Sequence, residues 1–589
     1  VTIHPKWVSF DIETYSINHN SKLPDPKIND NEVLQISFHE MSYDRINKNY
    51  NIKKHLLSLH NCSPIENVDV RNFASETDLL MGFTSIMHEV DPDILLSYNG
   101  LKFDWDYLIS RAEHCCIWME FSKLGRIKDE KSILVANDWE SSAYGKQKFS
   151  YLEPQGRINI DLLPEIERNY KFDQYSLNAV SEFFLGEKKE DLSPKQLFKL
   201  YQIVLETEKY LPNINFLMLK KIKTIVKNLI SSDDARGIIK SIKDEILFAD
   251  LVSINKAIYK CIEIIGIYCV KDSILPLQLI TKLNTYISLE QMSNITGVPV
   301  SYLLTRGQQI KVLAQVYRRT AFENIIIDFN KKDKKLSTIS DKYQGASVVE
   351  ANAGDYNLVA VEDFASLYPT TMITYNICYT TIVPPEISFN EEEMYKCEWE
   401  DHVGCSHDIY HRKKKKEEIM CGHNCYNYYK PNIRMGLVPS LLRELLVERR
   451  KVKKQMKIVK EELSSKLLSG SSEFESKQLL YTILDKRQLA LKLSSNSVYG
   501  ALGAKNGYMP LIAGAASVTA MGRNFIWSSI AYVLKNYPFA KLVYGDTDSM
   551  LLTFIGKKRE EVFDIARDIA VKVTNYLRRK MMNVGENDI

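Results

Sequence analysis

Apolar and polar residues alternate at the start of the chain, in Lys6-Trp7-Val8-Ser9-Phe10-Asp11-Ile12-Glu13. The period of two predicts a strand with Val8, Phe10 and Ile12 on one face and Asp11 and Glu13 on the other. Strand-like and helix-like stretches then alternate to about residue 285, and residues 202–258 within them read as a helical insert, Lys and Glu interleaved with Leu and Ile. Residues 286–355 read as a connector ending in Tyr343-Gln344-Gly345-Ala346. A strand-rich stretch follows around Asp363, then a loop heavy in Cys, His and Lys over 397–430. Two long helical patterns, about 438–468 and 474–499, flank Leu468-Ser469-Gly470-Ser471-Ser472, which predicts an antiparallel helical hairpin. The final segment alternates helix and strand. No internal repeat is visible, and the low-complexity run Arg412-Lys413-Lys414-Lys415-Lys416 is expected to be a solvated loop tip.

A chain of 589 residues is too long for one core and implies roughly three or four packed units. With 45% hydrophobic and 26% charged residues it is not a disordered tail, a collagen-like repeat or a small disulfide scaffold. Its 77 basic and 74 acidic residues leave a net charge of +3, so local clustering has to decide whether a polyanion is a partner. No apolar run is read as approaching the ~20 residues that span a bilayer, the longest mild stretch being placed around Leu511 to Met521. No signal peptide is seen and no membrane partner is expected. Ten cysteines, four of them between Cys397 and Cys425, suggest reduced thiols in an intracellular compartment rather than a disulfide framework.

Three acids stand in apolar strand contexts: Asp363 in Val359-Ala360-Val361-Glu362-Asp363-Phe364, and Asp546 and Asp548 in Tyr544-Gly545-Asp546-Thr547-Asp548-Ser549. Asp546 and Asp548, two apart on an extended chain or at the mouth of a tight turn allowed by Gly545, point to one side. Acids crowded in this way repel unless a cation bridges them, and hard divalent ions take oxygen ligands. Any one of them alone would read as a strand-end acid facing water. On the predicted hairpin, Lys492, Asn496 and Tyr499 are spaced i, i+4, i+7 and share one helix face. Arg449 and Lys453 form another i, i+4 pair, and residues 443–460 hold eight Lys or Arg against two Glu. Two helices with cations on one stripe suit a triphosphate.

Asp363-Phe364-Ala365-Ser366-Leu367-Tyr368-Pro369 resembles motif A of family B DNA polymerases. Lys492-Leu493-Ser494-Ser495-Asn496-Ser497-Val498-Tyr499-Gly500 resembles motif B, and Tyr544-Gly545-Asp546-Thr547-Asp548-Ser549 motif C, in the family's order. The resemblance implies a palm with a helical-hairpin fingers insertion, in which Asp363 and Asp548 hold two Mg2+ ions and Asp546 supports them. It places Arg449, Lys453 and Lys492 on the incoming triphosphate, with Arg450 the alternative to Arg449, and Asn496 and Tyr499 on the same nucleotide-binding face. Tyr368 takes the position that excludes ribonucleotides, its ring filling the space of a 2′-hydroxyl.

In the first half, Asp11, Glu13, Asp104 (after Asn99-Gly100-Leu101-Lys102-Phe103), Tyr268 and Asp272 resemble the family's three exonuclease motifs. The implied chemistry is two-metal hydrolysis, with the four acids as metal ligands and Tyr268 orienting the attacking water. Gly156-Arg157-Ile158-Asn159-Ile160-Asp161-Leu162-Leu163 and Tyr175-Ser176-Leu177-Asn178 match the family's text between the second and third motifs, and Tyr343-Gln344-Gly345-Ala346 its element between editing and synthesis. The expected fold is α/β and α+β: an RNase-H-like 3′–5′ exonuclease over 1–285 with the 202–258 insert, a connector over 286–355, palm over 356–432, fingers over 433–505 and palm again over 506–589. A thumb and an N-terminal domain are expected to be missing from this portion. The expected function is template-directed DNA synthesis with proofreading. Expected partners are primer–template DNA, deoxynucleoside triphosphates, a processivity factor and a C-terminal thumb segment or chain. The expected setting is intracellular, a nucleus or a cytoplasmic viral replication site; Gly404-Cys405-Ser406-His407-Asp408 resembles text in polymerases of large double-stranded DNA viruses and hints at source. Rival readings are a protein-primed polymerase of the same family and a catalytically silent DNA-binding scaffold. Cys397, Cys405, His407, His411, Cys421, His423 and Cys425 add a Zn2+ site as an expectation, although C-x7-C-x-H and C-x-H-x-C lack the usual paired knuckles.

Overall fold

The computed structural model describes residues 4–16, 24–44, 46–47, 49–141, 145–187, 192–230, 237–327, 343–401, 422–465, 472–505 and 507–580. The chain divides into one unit of Val1–Tyr286 with Val300–Thr305 and another of Ile287–Pro299 with Arg306–Ile589.

In the first unit the strands are β1 (Trp7–Thr14), β2 (Val33–Asp44), β3 (Asn49–Leu59), β4 (Val68–Phe73), β5 (Ile94–Ser97), the hairpin β6 (Ile133–Ser141) and β7 (Gly145–Glu153), and β8 (Ile158–Asp161). The main sheet runs β4-β3-β2-β1-β5-β8. Its β1–β2 and β2–β3 pairs are antiparallel, and its β1–β5, β5–β8 and β3–β4 pairs parallel. Val8, Phe10 and Ile12 enter a core with Phe38, Phe83, Trp105 and Leu108 on one face of the sheet. Against the other face lies the helix Ile254–Lys282, docked through buried polar groups. Ser9 Oγ donates to Ser273 O at 2.6 Å, Ser37 Oγ reaches Cys269 O at 2.7 Å, and Gln35 Nε2 donates to Ile262 O at 3.0 Å. These bonds satisfy polar atoms that would otherwise be costly to bury, and they fix the helix's register on the sheet. A mixed sheet with helices on both faces is the expected exonuclease architecture.

The same helix corrects the hydropathy reading. Ile254–Lys282 is long and apolar enough to cross a membrane, with a window of mean hydropathy 1.4 that is 61% buried, whereas the sequence reading placed the longest apolar stretch around 511–521. Its apolar surface is a core surface. The expected insert also has different limits. Helices Pro194–Glu208, Phe216–Leu229 and Ile238–Phe248 share one apolar cluster with the first half of Ile254–Lys282 and with Leu34 and Leu56 of the sheet. Residue 258 therefore falls inside a continuous helix, and residue 202 inside another.

The second unit holds β9 (Val348–Val349), β10 (Ala360–Asp363), the hairpin β11 (Met394–Asp401) and β12 (Gly422–Tyr429), β13 (Ala540–Asp546) and β14 (Ser549–Phe554). The sheet β10-β14-β13-β9 is antiparallel, and helices Ile512–Asn536 and Arg559–Lys580 pack Ile526, Ile530, Ile569 and Val573 against its Leu552 and Phe554. The predicted hairpin is present as Leu437–Ser465 and Ser472–Leu502. Its antiparallel pairing is marked by ion pairs between Lys477 and Glu462 and between Arg487 and Glu448. Most of its turn, 466–471, lies outside the described residues. The 286–355 stretch contains the helices Thr285–Thr296, Val300–Thr305 and Gln309–Phe322. The last of these joins the hairpin through Arg319–Glu444 at 2.7 Å and Gln315–Ser494 at 2.7 Å, so this part of the connector is built into the second unit.

Candidate catalytic centres

In the first unit, Asp11 and Glu13 lie on the face of β1 that meets the helix Ile254–Lys282. A carboxylate oxygen of each and the Cys269 Sγ lie within 4.8 Å of one another. Burial pushes the Cys269 thiol well above its usual range, and the charges of Glu13, Asp11 and Asp272 push it further. A group so held stays a thiol, leaving hard cations to the carboxylates. Asp272 is buried, one helical turn beyond the half-buried Tyr268. Asp11 and Glu13 therefore converge on Cys269, which lies three residues before Asp272 on the same helix.

Asp104 arrives by a different route. The parallel register pairs Ser9 with Leu96, so β5 ends beside the acid-bearing end of β1. The turn that follows is tight: a Cβ on Gly100 would overlap the Ser97 side chain and stand 3.3 Å from Asp104 Oδ2. Asp161, at the end of β8, accepts hydrogen bonds from Asn99 N (2.8 Å), Leu101 N (3.1 Å) and its own helix's Leu163 N (3.0 Å). Full burial pushes its carboxyl up to about 6 against the opposing pull of these three donors. Asp104 then opens the helix Asp104–His114, where the helix dipole favours an anion. In the sequence Asp161 is matching text without a task. The pairing that gives it one, to a turn 60 residues earlier, leaves no local signal.

In the second unit, β10 delivers Asp363 and the β13–β14 turn delivers Asp546 and Asp548. Asp363 and Asp546 both pair with Ser549, and Phe364 N donates to Asp548 O at 2.8 Å. Burial raises the Asp548 pKa, then the charge of Asp363, then that of Asp546, while Lys492 opposes them. This crowded set of carboxylate oxygens fits hard divalent cations. The turn itself corrects the sequence reading. Gly545 lies inside β13, where a Cβ would stand 3.1 Å from Val349 Cγ2 and 3.2 Å from Ser549 O, so it permits close strand approach. The left-handed residue is Thr547, at φ 55°, costly for a β-branched side chain. Thr547 N donates to Ser347 O (3.0 Å) and its hydroxyl to Asp546 Oδ1 (2.9 Å). Across the site Ser366 is also left-handed, at φ 61°.

Ser366 receives Arg449 Nη1 at 3.4 Å. Arg449 is half-buried and its buried Nε has no hydrogen-bond partner among the described residues, while burial lowers its pKa. Arg450, the alternative, is exposed. Tyr368 lies against Tyr499 with ring centroids 4.3 Å apart, and burial, then the Asp548 charge, raises its pKa. Structure thus gathers Asp363, Asp546, Asp548, Tyr368, Tyr499 and Lys492, with Arg449 beside motif A. Lys453 and Asn496 stand exposed on the same hairpin, and Lys453 has no ion pair among the described residues. The sequence reading gave no task to Glu362, which faces the opposite side of β10 from Asp363, and burial pushes its carboxyl up to about 7.

Cys405, His407, His411 and Cys421 lie outside the described residues. Of the rest, Cys397 is separated from His423 and Cys425, which stand two residues apart on one face of β12. Cys397 is fully buried in the core with Tyr428, while Cys425 is exposed and pairs across the hairpin with Glu398, which puts the two thiols on opposite faces. Burial keeps the Cys397 thiol protonated.

The model of DNA polymerase family B matches residues 298–585, and the model of DNA polymerase family B, exonuclease domain, matches residues 4–180. The chain is 33% identical to the DNA polymerase delta catalytic subunit of Oryza sativa subsp. japonica, over 88% of this chain and 39% of the relative. It is 31% identical to DNA polymerase 120R of Invertebrate iridescent virus 3, over 97% of this chain and 48% of the relative. It therefore spans about half, or less, of the length of these curated relatives. The structure of the family B DNA polymerase from the hyperthermophilic archaeon Pyrobaculum calidifontis shares its fold, with a TM-score of 0.56 at 20% identity over 98% of this chain and 55% of that one. The exonuclease-domain model spans Asp11, Glu13 and Asp104 of the first unit, the other model spans Asp363, Asp546 and Asp548 of the second, and the chain belongs to DNA polymerase family B.

Proposed function

We propose that the second unit catalyses template-directed DNA synthesis from deoxynucleoside triphosphates and that the first hydrolyses DNA from its 3′ end. The observation that carries this reading is the convergence of Asp363, Asp546 and Asp548 beside the Tyr368–Tyr499 pair, with Lys492 and Arg449 as cations. Asp363 and Asp548, supported by Asp546, would hold magnesium. When bound, the ions neutralise charge on the attacked phosphate and ease deprotonation of the 3′-hydroxyl. Arg449, Lys453 and Lys492 orient the triphosphate, Arg449 with a buried Nε that has no hydrogen-bond partner among the described residues. Tyr368 backs the sugar and turns away a 2′-hydroxyl. In the first unit Asp11, Glu13, Asp104 and Asp272 would hold the corresponding ions, and the Tyr268 phenol orients the water that attacks the terminal phosphodiester.

Primer–template DNA and deoxynucleoside triphosphates are the partners this chemistry requires. Relatives named as catalytic subunits, and a viral one, support further protein partners and a nuclear or viral replication site; a processivity factor is the partner proposed among them. The test is extension of a labelled primer by the purified chain with magnesium and four deoxynucleotides. Template-ordered products that stop with a chelator support the reading. A folded chain that binds DNA and makes no product would instead be a silent scaffold.

A further inference from the structure

Three tyrosines from separate stretches of the second unit meet beside Asp548. Tyr368 follows β10, Tyr499 lies near the end of the helix Ser472–Leu502, and Tyr343 begins the segment that leads into β9. Tyr368 packs on Tyr499. The phenol oxygen of Tyr499 is 3.4 Å from that of Tyr343, at the long end of hydrogen-bond reach. The Tyr343 hydroxyl in turn rests over Gly503, one helical turn beyond Tyr499, where a Cβ would stand 2.5 Å from that oxygen. Gly503 has no left-handed φ, and its N–H still closes the helix on Tyr499 O at 3.2 Å. Backbone conformation does not ask for glycine here. The space for a hydroxyl does.

We infer that Tyr343 is a positioning residue for sugar selection: seated on Gly503, it holds Tyr499, against which Tyr368 leans, and so fixes how deep the sugar pocket is. The inference rests on the proposed role of Tyr368 at the sugar. Exclusion by a clash works only as far as the wall refuses to move. Behind Tyr368 stand Leu367 and Phe525 on one side and the Tyr499 ring on another. Tyr499 is hydrogen-bonded at its hydroxyl by Tyr343. Releasing that hydroxyl lets the wall yield to a 2′-hydroxyl, whereas a deoxyribose never presses on it. The same segment carries Ser347, which accepts from Thr547 N in the acid-bearing turn, so the sugar wall and the metal ligands share one strap.

The experiment compares kcat/KM for a deoxynucleotide with that for its ribonucleotide in the intact chain and its variants. Tyr343→Phe removes one oxygen and should lower the preference for deoxyribose about three- to tenfold, the worth of one neutral hydrogen bond, chiefly by lowering the ribonucleotide KM. Gly503→Ala should do the same by another route, since the hydroxyl must move about 1 Å to regain ordinary contact. The double variant should be no worse than the stronger single one, because the methyl then displaces a hydroxyl that is already gone. If Tyr368→Ala lowers the preference and Tyr343→Phe does not, this inference fails and the sugar wall stands. If Tyr368→Ala leaves the preference unchanged, the reading of Tyr368 fails instead. Equal losses with both nucleotides in Tyr343→Phe would reduce the residue to a structural one, and additive losses in the double variant would overturn the seat on Gly503.

Discussion

Gly266 lies on the buried face of the helix Ile254–Lys282, two residues before Tyr268 and six before Asp272. A Cβ there would stand 2.6 Å from Leu56 Cδ2, 3.0 Å from Ile65 Cδ1 and 3.4 Å from Gln35 Nε2. Ordinary contact needs about 1 Å more than the first of these. Two responses compete. Leu56 can swing aside at a cost of about 1–3 kcal/mol for a strained core side chain, partly offset by alanine's ~1 kcal/mol helix advantage over glycine. Otherwise the helix lifts and stretches the bonds from Ser9, Ser37 and Gln35, each worth about 1–3 kcal/mol once its buried partner is stranded. For Gly266→Ala the first response is cheaper, and exonuclease activity should stay within about threefold of the parent. Gly266→Val adds branches reaching about 1.5 Å further, toward Ile65 and Gln35 as well, so the helix has to lift. A misplacement near 1 Å at Tyr268 and Asp272 should then cost about 10²-fold in 3′-end degradation. The assay is degradation of a labelled single strand without nucleotides, alongside primer extension from the same preparation. Parental degradation by a cooperatively folded Gly266→Val protein would refute the register argument. Equal loss of both activities would show that the substitution disturbs the whole fold.

Asp161→Asn puts amide hydrogens among the N–H groups of Asn99, Leu101 and Leu163; it should cost about 1–3 kcal/mol in denaturant unfolding and lower exonuclease activity at least about tenfold by displacing Asp104. Burial, with Lys54 and His55 nearby, lowers His39 to about 3. The unfolded chain therefore takes up a proton below about 6.5 that the folded chain refuses, and stability falls as pH drops from there toward 3. His39→Gln should flatten the fall of Tm between pH 7 and 4.5, and an unchanged slope would contradict a buried neutral imidazole. Arg449→Ala should raise the deoxynucleotide KM in primer extension about 10- to 100-fold, as expected for charge-assisted bonds, and Lys453→Ala should raise it less, because Lys453 is exposed.

Much of the architecture was legible because it rests on short-range patterns. The two-residue period of β1 places Asp11 and Glu13 together, and the hairpin helices at 437–465 and 472–502 lie within a few residues of the pattern at 438–468 and 474–499. What escaped depends on partners far along the chain. The Thr547 turn is held by Ser347, and Gly545 serves a neighbouring strand, so Gly-Asp-Thr-Asp read alone puts the turn at the wrong residue. Asp161 acts on a turn 60 residues away, and Cys397 looked like a zinc ligand until the β-hairpin turned it into the core. The buried polar seam beneath Tyr268 and Asp272 joins serines more than 200 residues apart. In the sequence it is Ser, Cys and Gln in otherwise apolar text, with no period to mark it.

The proposed function requires one chain to carry two independent acidic centres with different chemistry. The most direct measurement takes three proteins, the parent, Asp11→Ala with Glu13→Ala, and Asp548→Asn, and assays each with magnesium for primer extension and for degradation of a single-stranded 3′ end. The first variant should extend at near the parental rate and no longer degrade, and the second should degrade at near the parental rate and no longer extend. Loss of both activities in either variant with its fold preserved, or retention of extension in Asp548→Asn, would contradict it.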